Sequence, residues 1–230
     1  VQRDVFMKTG RAMEAVEDDT RALAMVNCGR PLTGHQIRIV DDAGREVPER
    51  REGRLQYRGP STTSGYFRNS QATAELFDGE WLNSGDLAYI AGGDVHISGR
   101  TKDIIIRAGR NIYPAEFEDA VGGLEGLQKG YVAVFGSNDP ATGTERLVVV
   151  AETRKRKPEE QEALRQAING LAVDLIGGPP DEVVLAPLRS VLKTSSGKVR
   201  RAANRDIYER GLIGKPPSAL WWQITRLGLT

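Results

Sequence analysis

Two patterns of apolar spacing divide the chain. Residues 1–26 are weakly patterned: short apolar groups, Val5–Phe6–Met7 and Ala22–Leu23–Ala24–Met25–Val26, lie around an acidic patch at Glu17–Asp18–Asp19. This spacing predicts a loose hairpin or an insertion on a larger body. A Gly/Pro-punctuated turn over 27–34 leads into Gln36–Ile37–Arg38–Ile39–Val40, whose alternation predicts a strand. A turn at 41–44 follows, and alternation resumes over 53–60 with Leu55 and Tyr57 on one face. Asn69 or Ser70 can cap a helical turn over 70–77, where Ala72, Glu75 and Leu76 recur at helical spacing. A further strand is expected to end at Ser84–Gly85–Asp86.

From Pro114 onward the pattern changes. Residues 114–121 read as a helix with Pro in its first turn, acids near its N-terminus and Gly122–Gly123 at its end. Tyr131–Phe135 and Leu147–Ala151 are strand-like apolar runs separated by a loop rich in Gly, Asn, Asp and Pro. Pro158 to about Ile176 is an amphipathic helix carrying Leu164, Ile168, Leu171 and Leu175, Val183–Leu185 a third strand, and 201–210 a last helix. The fold class is therefore α+β: short strands with Gly-rich turns, forming a small barrel or curled sheet, then a smaller domain of a short sheet with packed helices. Boundaries are expected at 1–98, 99–212 and 213–230.

Between the two bodies lies Ser98–Gly99–Arg100–Thr101–Lys102–Asp103, followed by Ile104–Ile105–Ile106 and then Arg107–Ala108–Gly109–Arg110–Asn111–Ile112–Tyr113–Pro114. Loop, strand, tight turn and helix entry follow one another here. Taken alone, the stretch fits a β-hairpin with a solvated charged lead-in.

Composition narrows the classes. At 230 residues and 39% hydrophobic content the chain can hold one large or two small cores. A net charge of +1 argues against a general nucleic-acid binder. Residues 1–98 hold 12 basic and 15 acidic side chains, net −3, whereas 99–230 hold 20 and 16, net +4. No acid occurs from Val183 to Arg205, where Arg189, Lys193, Lys198, Arg200, Arg201 and Arg205 fall. Such a run suits a solvated face or a polyanionic small molecule. Cys28 is the sole cysteine and the two histidines are far apart, which excludes an intrachain disulfide or a thiolate metal cluster and leaves no metal-ligand spacing. No signal peptide or long apolar span is seen, so a cytoplasmic protein is expected. The opening Val1 lacks start-like character, and the chain reads as an excised fragment.

Asp86 by itself is either a turn aspartate capping its own backbone or a carboxylate accepting from paired ribose hydroxyls. Lys198 in Thr194–Ser195–Ser196–Gly197–Lys198 is either a lysine on a flexible solvated loop or a charge delivered to an anionic reaction centre. Arg100 and Lys102 are, by themselves, surface charges.

Three stretches taken together, in this order and spacing, change that. Trp81–Leu82–Asn83–Ser84–Gly85–Asp86–Leu87, the Ser98–Asp103 junction and Lys193–Thr194–Ser195–Ser196–Gly197–Lys198–Val199–Arg200–Arg201 resemble the late motifs of the adenylate-forming superfamily. That superfamily contains acyl-CoA synthetases, fatty acyl-AMP ligases, luciferases and the adenylation domains of peptide synthetases. The resemblance runs from about Asn27 to Gly211. It implies that Asp86 binds ribose, with Ser84 where Thr is usual, and that Arg100 contacts the ribose and phosphate side of the nucleotide. It further implies that Lys102 is the hinge residue and Lys198 the lysine of the adenylation step. Residues 1–98 would then end the large adenylation domain, 99–212 form the small mobile domain, and 213–230 form a linker or begin a following domain.

The implied substrates are ATP, with AMP and Mg2+ in the full-length parent, and a fatty acid. The implied acceptor is CoA or an acyl carrier protein. Arg110–Pro114 and the turn at 27–32 are closer to the fatty acyl-AMP ligase branch, although Ile112 stands where that branch has His and the Arg107–Ala108–Gly109 spacing differs. On this branch, residues 1–26 belong to an insertion that favours a carrier thiol over CoA. No P-loop of the Gly-x-x-x-x-Gly-Lys-Ser/Thr kind occurs in the chain. The superfamily's own phosphate loop and magnesium glutamate are also missing and, as the resemblance implies, belong to an N-terminal body, so the fragment alone is expected to be inactive. The apolar end of the tail either docks on the body or opens a further domain, which would add a membrane-peripheral location; some relatives are fused to a glycerolipid acyltransferase. The competing reading is a non-catalytic module of the same fold for nucleotide sensing or carrier-protein docking.

Overall fold

Alternating side chains and tight turns build the first half. In the computed structural model, which describes residues 1–138 and 145–215, the chain divides into two compact units. The first comprises Val1–Ile104 and Ala108–Asn111, and the second Ile105–Arg107 and the chain from Ile112 onward. Residues 139–144, within the stretch read as a loop from the sequence, and residues 216–230, on which part of the linker reading rests, lie outside the described residues.

The first unit contains α1 (Arg3–Thr9), β1 (Val26–Asn27), β2 (Gln36–Val40), β3 (Gly53–Arg58), α2 (Ser70–Leu76), β4 (Phe77–Asp78), β5 (Trp81–Ala91) and β6 (Asp94–Arg100). Its antiparallel sheet has the order β1-β6-β5-β3-β2, with β4 also paired to β5. Ile39, Leu55, Ala88 and Val95 form a core cluster under it. The Asp41 carboxylate closes the turn after β2 by accepting from the backbone N–H of Ala43 and Arg45, each at 2.9 Å. Asn69 caps α2, its side chain accepting from Ala72 N–H at 3.0 Å.

Residues 1–26 are not a loose hairpin. Phe6 of α1 is fully buried and meets the Tyr89 ring edge-on at 5.7 Å, and Tyr89 in turn stacks on His96 at 4.8 Å. Arg3 is buried too, donating to the carbonyls of Arg21 (2.8 Å) and Ala22 (3.4 Å). Those bonds tie the ends of the segment together, a non-local pairing that no periodicity announces.

The strand expected to stop at Asp86 runs on to Ala91, and β6 continues past Ser98 through Arg100. Ser84–Gly85–Asp86 does not end β5 because a bulge absorbs it. Arg54 of β3 pairs with Leu87 and Gln56 with Asn83, so that Leu55 alone lies opposite three residues of β5.

After the first unit's main segment come β7 (Ile105–Arg107), which belongs to the second unit, and β8 (Arg110–Ile112), of which only Ile112 does. Ala108 and Gly109 join them, both at positive φ (49° and 72°) as a two-residue hairpin turn requires. Arg107 donates to Pro179 O at 2.6 Å and pairs with Asp181 at 3.1 Å. Next come α3 (Pro114–Gly122), β9 (Leu127–Asn138), β10 (Glu145–Thr153), α4 (Pro158–Ile176), β11 (Glu182–Ala186) and α5 (Arg201–Glu209). Strand β10 is central, antiparallel to β9 and parallel to β11, with α4 as the crossover that a parallel pair needs. Leu147 to Ala151 is buried throughout, the continuous apolar run of a strand covered on both faces. Helix α4 buries Leu164, Ile168, Ala172 and Ile176, while Leu171 and Leu175 are half-buried at the edge of that stripe.

Candidate nucleotide and catalytic-lysine sites

The β5–β6 register puts Asp86 directly opposite Arg100. Gly85, at φ +79°, makes the bulge that carries Asp86 there, and Ser84 Oγ accepts from Asp86 N–H at 3.0 Å. The carbonyl of Gly85 accepts from Thr101 N–H at 3.0 Å, so the bulge is pinned to the end of β6. Arg100 Nε lies 3.3 Å from Asp86 Oδ1, with 71% of the arginine side chain and 23% of the aspartate side chain exposed. A carboxylate with a guanidinium beside it, both reachable from solvent, can accept from a vicinal diol while the arginine faces an anion.

Lys102 follows in a tight turn in which Arg100 O accepts from Asp103 N–H (3.0 Å) and Ile104 N–H (3.2 Å). Its side chain is exposed, and the first unit's main segment ends two residues later at Ile104. The sequence division after Ser98 thus falls within a strand.

Lys198 belongs to the second unit, on a closed hairpin rather than a slack loop. Lys193 and Val199 form an antiparallel bridge, Thr194 N–H donates to Lys198 O at 2.8 Å, and Lys198 N–H donates back to Thr194 Oγ1 at 3.0 Å. Gly197, at φ +83°, turns the chain at the tip. Ser195, Ser196 and Lys198 are all exposed. The structure therefore brings Asp86 and Arg100 together, sets Lys102 in the next turn, and presents Lys198 from the second unit.

Sequence reading missed the polar groups that hold this hairpin. Glu118, Glu152 and Asn204 are buried, and each hydrogen-bonds within 191–201. Glu118 and Asn204 sit on predicted helices beside apolar positions, where a polar side chain on the inward face is the available signal. Among the described residues no group of three or more His, Cys, Asp or Glu side chains could hold a metal ion. No helix among them is long and apolar enough to cross a membrane.

The sequence profile of the AMP-binding enzyme family matches residues 9–67. A Caulobacter vibrioides protein provisionally named an acyl-CoA synthetase is 34% identical over 205 residues, which cover 88% of this chain and 35% of that relative. Among solved structures, one from work on fatty acyl-adenylate ligases of E. coli and L. pneumophila has a TM-score of 0.78 at 32% identity, covering 92% of this chain and 37% of its own. The A-PCP portion of McyG complexed with phenylalanyl-adenylate has a TM-score of 0.74 at 32% identity, covering 88% and 36%. The chain thus spans little more than a third of the length of these proteins. With three ordered motifs, a family profile and relatives aligned along most of its length, the chain belongs to the adenylate-forming superfamily of AMP-binding enzymes.

Proposed function

We propose that this chain is the C-terminal portion of an ATP-dependent ligase that activates a fatty acid as its acyl adenylate and passes the acyl group to a thiol. The observation that carries the reading is the cross-strand pair of Asp86, partly exposed on the β5 bulge, and Arg100, exposed at the end of β6. Asp86 accepts from the ribose hydroxyls and Arg100 faces the ribose–phosphate side of the nucleotide.

In the first half-reaction a substrate carboxylate oxygen attacks the α-phosphorus of ATP and pyrophosphate leaves. Both reactants are anions. Lys198 offsets the charge on the attacking oxygen and at phosphorus, and holds its proton throughout. In the second, a thiol sulfur attacks the acyl carbonyl and AMP leaves. Lys102 is the proposed hinge between them, since a hinge needs only to absorb a change in φ and ψ. On this reading the first body is the end of the large adenylation domain and the second the small mobile domain. The phosphate loop, the magnesium ligands and most of the acyl pocket then lie in an N-terminal body, and the isolated chain is inactive. The acceptor is a carrier-protein thiol in preference to CoA, as the Arg110–Pro114 stretch supports, and the protein works in the cytoplasm.

The test uses the full-length parent with ATP, magnesium and a medium-to-long fatty acid, with and without CoA. Acyl adenylate that accumulates and is not consumed by CoA supports the ligase with a carrier acceptor. Rapid acyl-CoA formation moves the protein to the synthetase branch, and no adenylate with any fatty acid removes the reading in favour of a non-catalytic module. Lys198→Ala is expected to lower carboxylate-dependent pyrophosphate release at least about a hundredfold while transfer from preformed adenylate persists. Equal loss of both steps in a folded variant would refute the role of Lys198.

A further inference from the structure

Three of the five buried polar side chains found in the second unit among the described residues converge on one short segment, residues 191–201. Asn204 of α5 is fully buried, and every hydrogen bond its amide makes goes to the feet of the Lys198 hairpin. Its Nδ2 donates to Leu192 O at 3.0 Å and Arg200 O at 2.9 Å, and its Oδ1 accepts from Leu192 N–H at 2.8 Å. Arg200 N–H also donates to Leu192 O, at 3.0 Å. The side-chain amide thus behaves as one more peptide unit, pairing with the strand that enters the hairpin and the residue that leaves it.

Two buried carboxylates extend the clamp on either side. Glu152 of β10 accepts from Val191 N–H at 2.8 Å, just before the hairpin. Glu118 of α3 accepts from both ends of the Arg201 fork, at 2.8 and 2.6 Å, just after it, and from Val134 N–H at 2.9 Å. Lys193 adds an outer strut, with Nζ 2.9 Å from Gly130 O and 4.2 Å from the centre of the Tyr131 ring. Burying a polar group without a partner is costly, and apolar packing alone would hold a loop against the sheet. What polar partners add is direction: each fixes one backbone group in one orientation. Lys198 lies only two residues from the clamped Arg200.

The geometry points to Asn204, with Glu152 beside it, as a positioning residue for Lys198: a buried clamp that makes the hairpin a rigid arm, so that the lysine arrives in one place when the second unit delivers it. This rests on the adenylation reading above, because the clamp has a catalytic consequence only if Lys198 acts in the first half-reaction.

The experiment uses the full-length parent. Asn204→Asp keeps the acceptor for Leu192 N–H and loses both donations; Asn204→Ala loses all three bonds. Glu152→Leu removes the acceptor for Val191 N–H, and Glu152→Gln keeps an oxygen there as the conservative control. Amide exchange of the 193–200 segment is read by mass spectrometry, alongside kcat and KM for carboxylate-dependent pyrophosphate release and the rate of transfer from preformed adenylate. In Asn204→Asp, exchange at Thr194 and Lys198 is expected to quicken at least about tenfold as the hairpin loses its anchor. Adenylation kcat should fall roughly ten- to a hundredfold, the scale on which an ångström-level misplacement registers, with KM for ATP and the transfer rate changing less than about twofold. Glu152→Leu should shift in the same direction and Glu152→Gln should stay near wild type.

Unchanged exchange in a folded Asn204→Asp would overturn the clamp whatever the activity. Equal loss of both half-reactions would reduce Asn204 to a general structural residue and overturn the positioning role. A wild-type parent that releases no pyrophosphate would sink the adenylation reading and the positioning role with it, and the exchange data would still decide whether the clamp exists.

Discussion

Gly53 and Gly85 lie in neighbouring strands and are needed for different reasons. A Cβ on Gly85 would meet nothing within 4 Å, so the requirement is its φ of +79° alone. Gly85→Ala should therefore cost about 1–2 kcal/mol, the left-handed penalty of an L-residue. At Gly53 a Cβ would sit 2.5 Å from Val40 O, a clash with backbone that the β2–β3 edge cannot absorb without opening. Gly53→Ala should cost more than Gly85→Ala, and denaturant midpoints of the two variants check the order. The Ser-Gly-Asp turn was legible in the sequence; that Arg100 stands opposite Asp86 was not, because register depends on a bulge spread over two strand pairs. Tyr208 offers a test of another kind. Burial first, and then the Glu182 carboxylate that its hydroxyl reaches at 2.7 Å, push its pKa up from 10.0 to about 12. The unfolded chain loses this proton first, so the contribution of Tyr208 to stability is complete below pH 10 and declines as pH rises from about 10 to about 12. Tyr208→Phe should lose that part of the alkaline destabilisation, as read by melting temperature across the same range.

Elements with a strong period were legible nearly to their ends. Strand β2, helix α4 and the Asn69 cap are where alternation, apolar spacing and cap chemistry put them. Helix α1 was not, because seven residues with only Phe6 and Met7 as buried apolar side chains carry too little pattern, and its anchor Arg3 is satisfied by carbonyls 18 and 19 residues away. The joint between α3, β9 and α5 was hidden for the same reason: Glu118 and Arg201 are 83 residues apart and look like surface charges. With 9% and 18% of their side chains exposed, they form an inward ion pair. Removing one partner strands the other, so Glu118→Ala should destabilise the second unit by about 3–5 kcal/mol. Glu118→Gln keeps an acceptor for Val134 N–H and should lose less, and urea unfolding of the pair of variants measures the difference.

At the scale of the whole molecule, the turn at 100–104 is where the first unit's main segment ends. The proposal that Lys102 is a hinge predicts that Lys102→Pro, which restricts φ, separates the two half-reactions in the parent enzyme. One rate should stay within about twofold and the other should slow markedly, as expected when a conformational step is gated. Parallel changes in both rates would remove the hinge. Strand pairing continues through Arg100 and the first unit's main segment runs to Ile104, a register-dependent end that a change of period near 100 does not announce.

Cys28 has a use at this scale. It is the chain's sole cysteine, it is exposed, and its N–H is tied to Val95 O at 2.8 Å on the first unit. A maleimide dye therefore reports from one known, firmly held point without prior removal of any other thiol in this chain. Adding Ser195→Cys, at the exposed tip of the lysine hairpin, would supply a second address. Energy transfer between the two dyes would then read the distance between the units molecule by molecule, as ATP or an acyl adenylate is added.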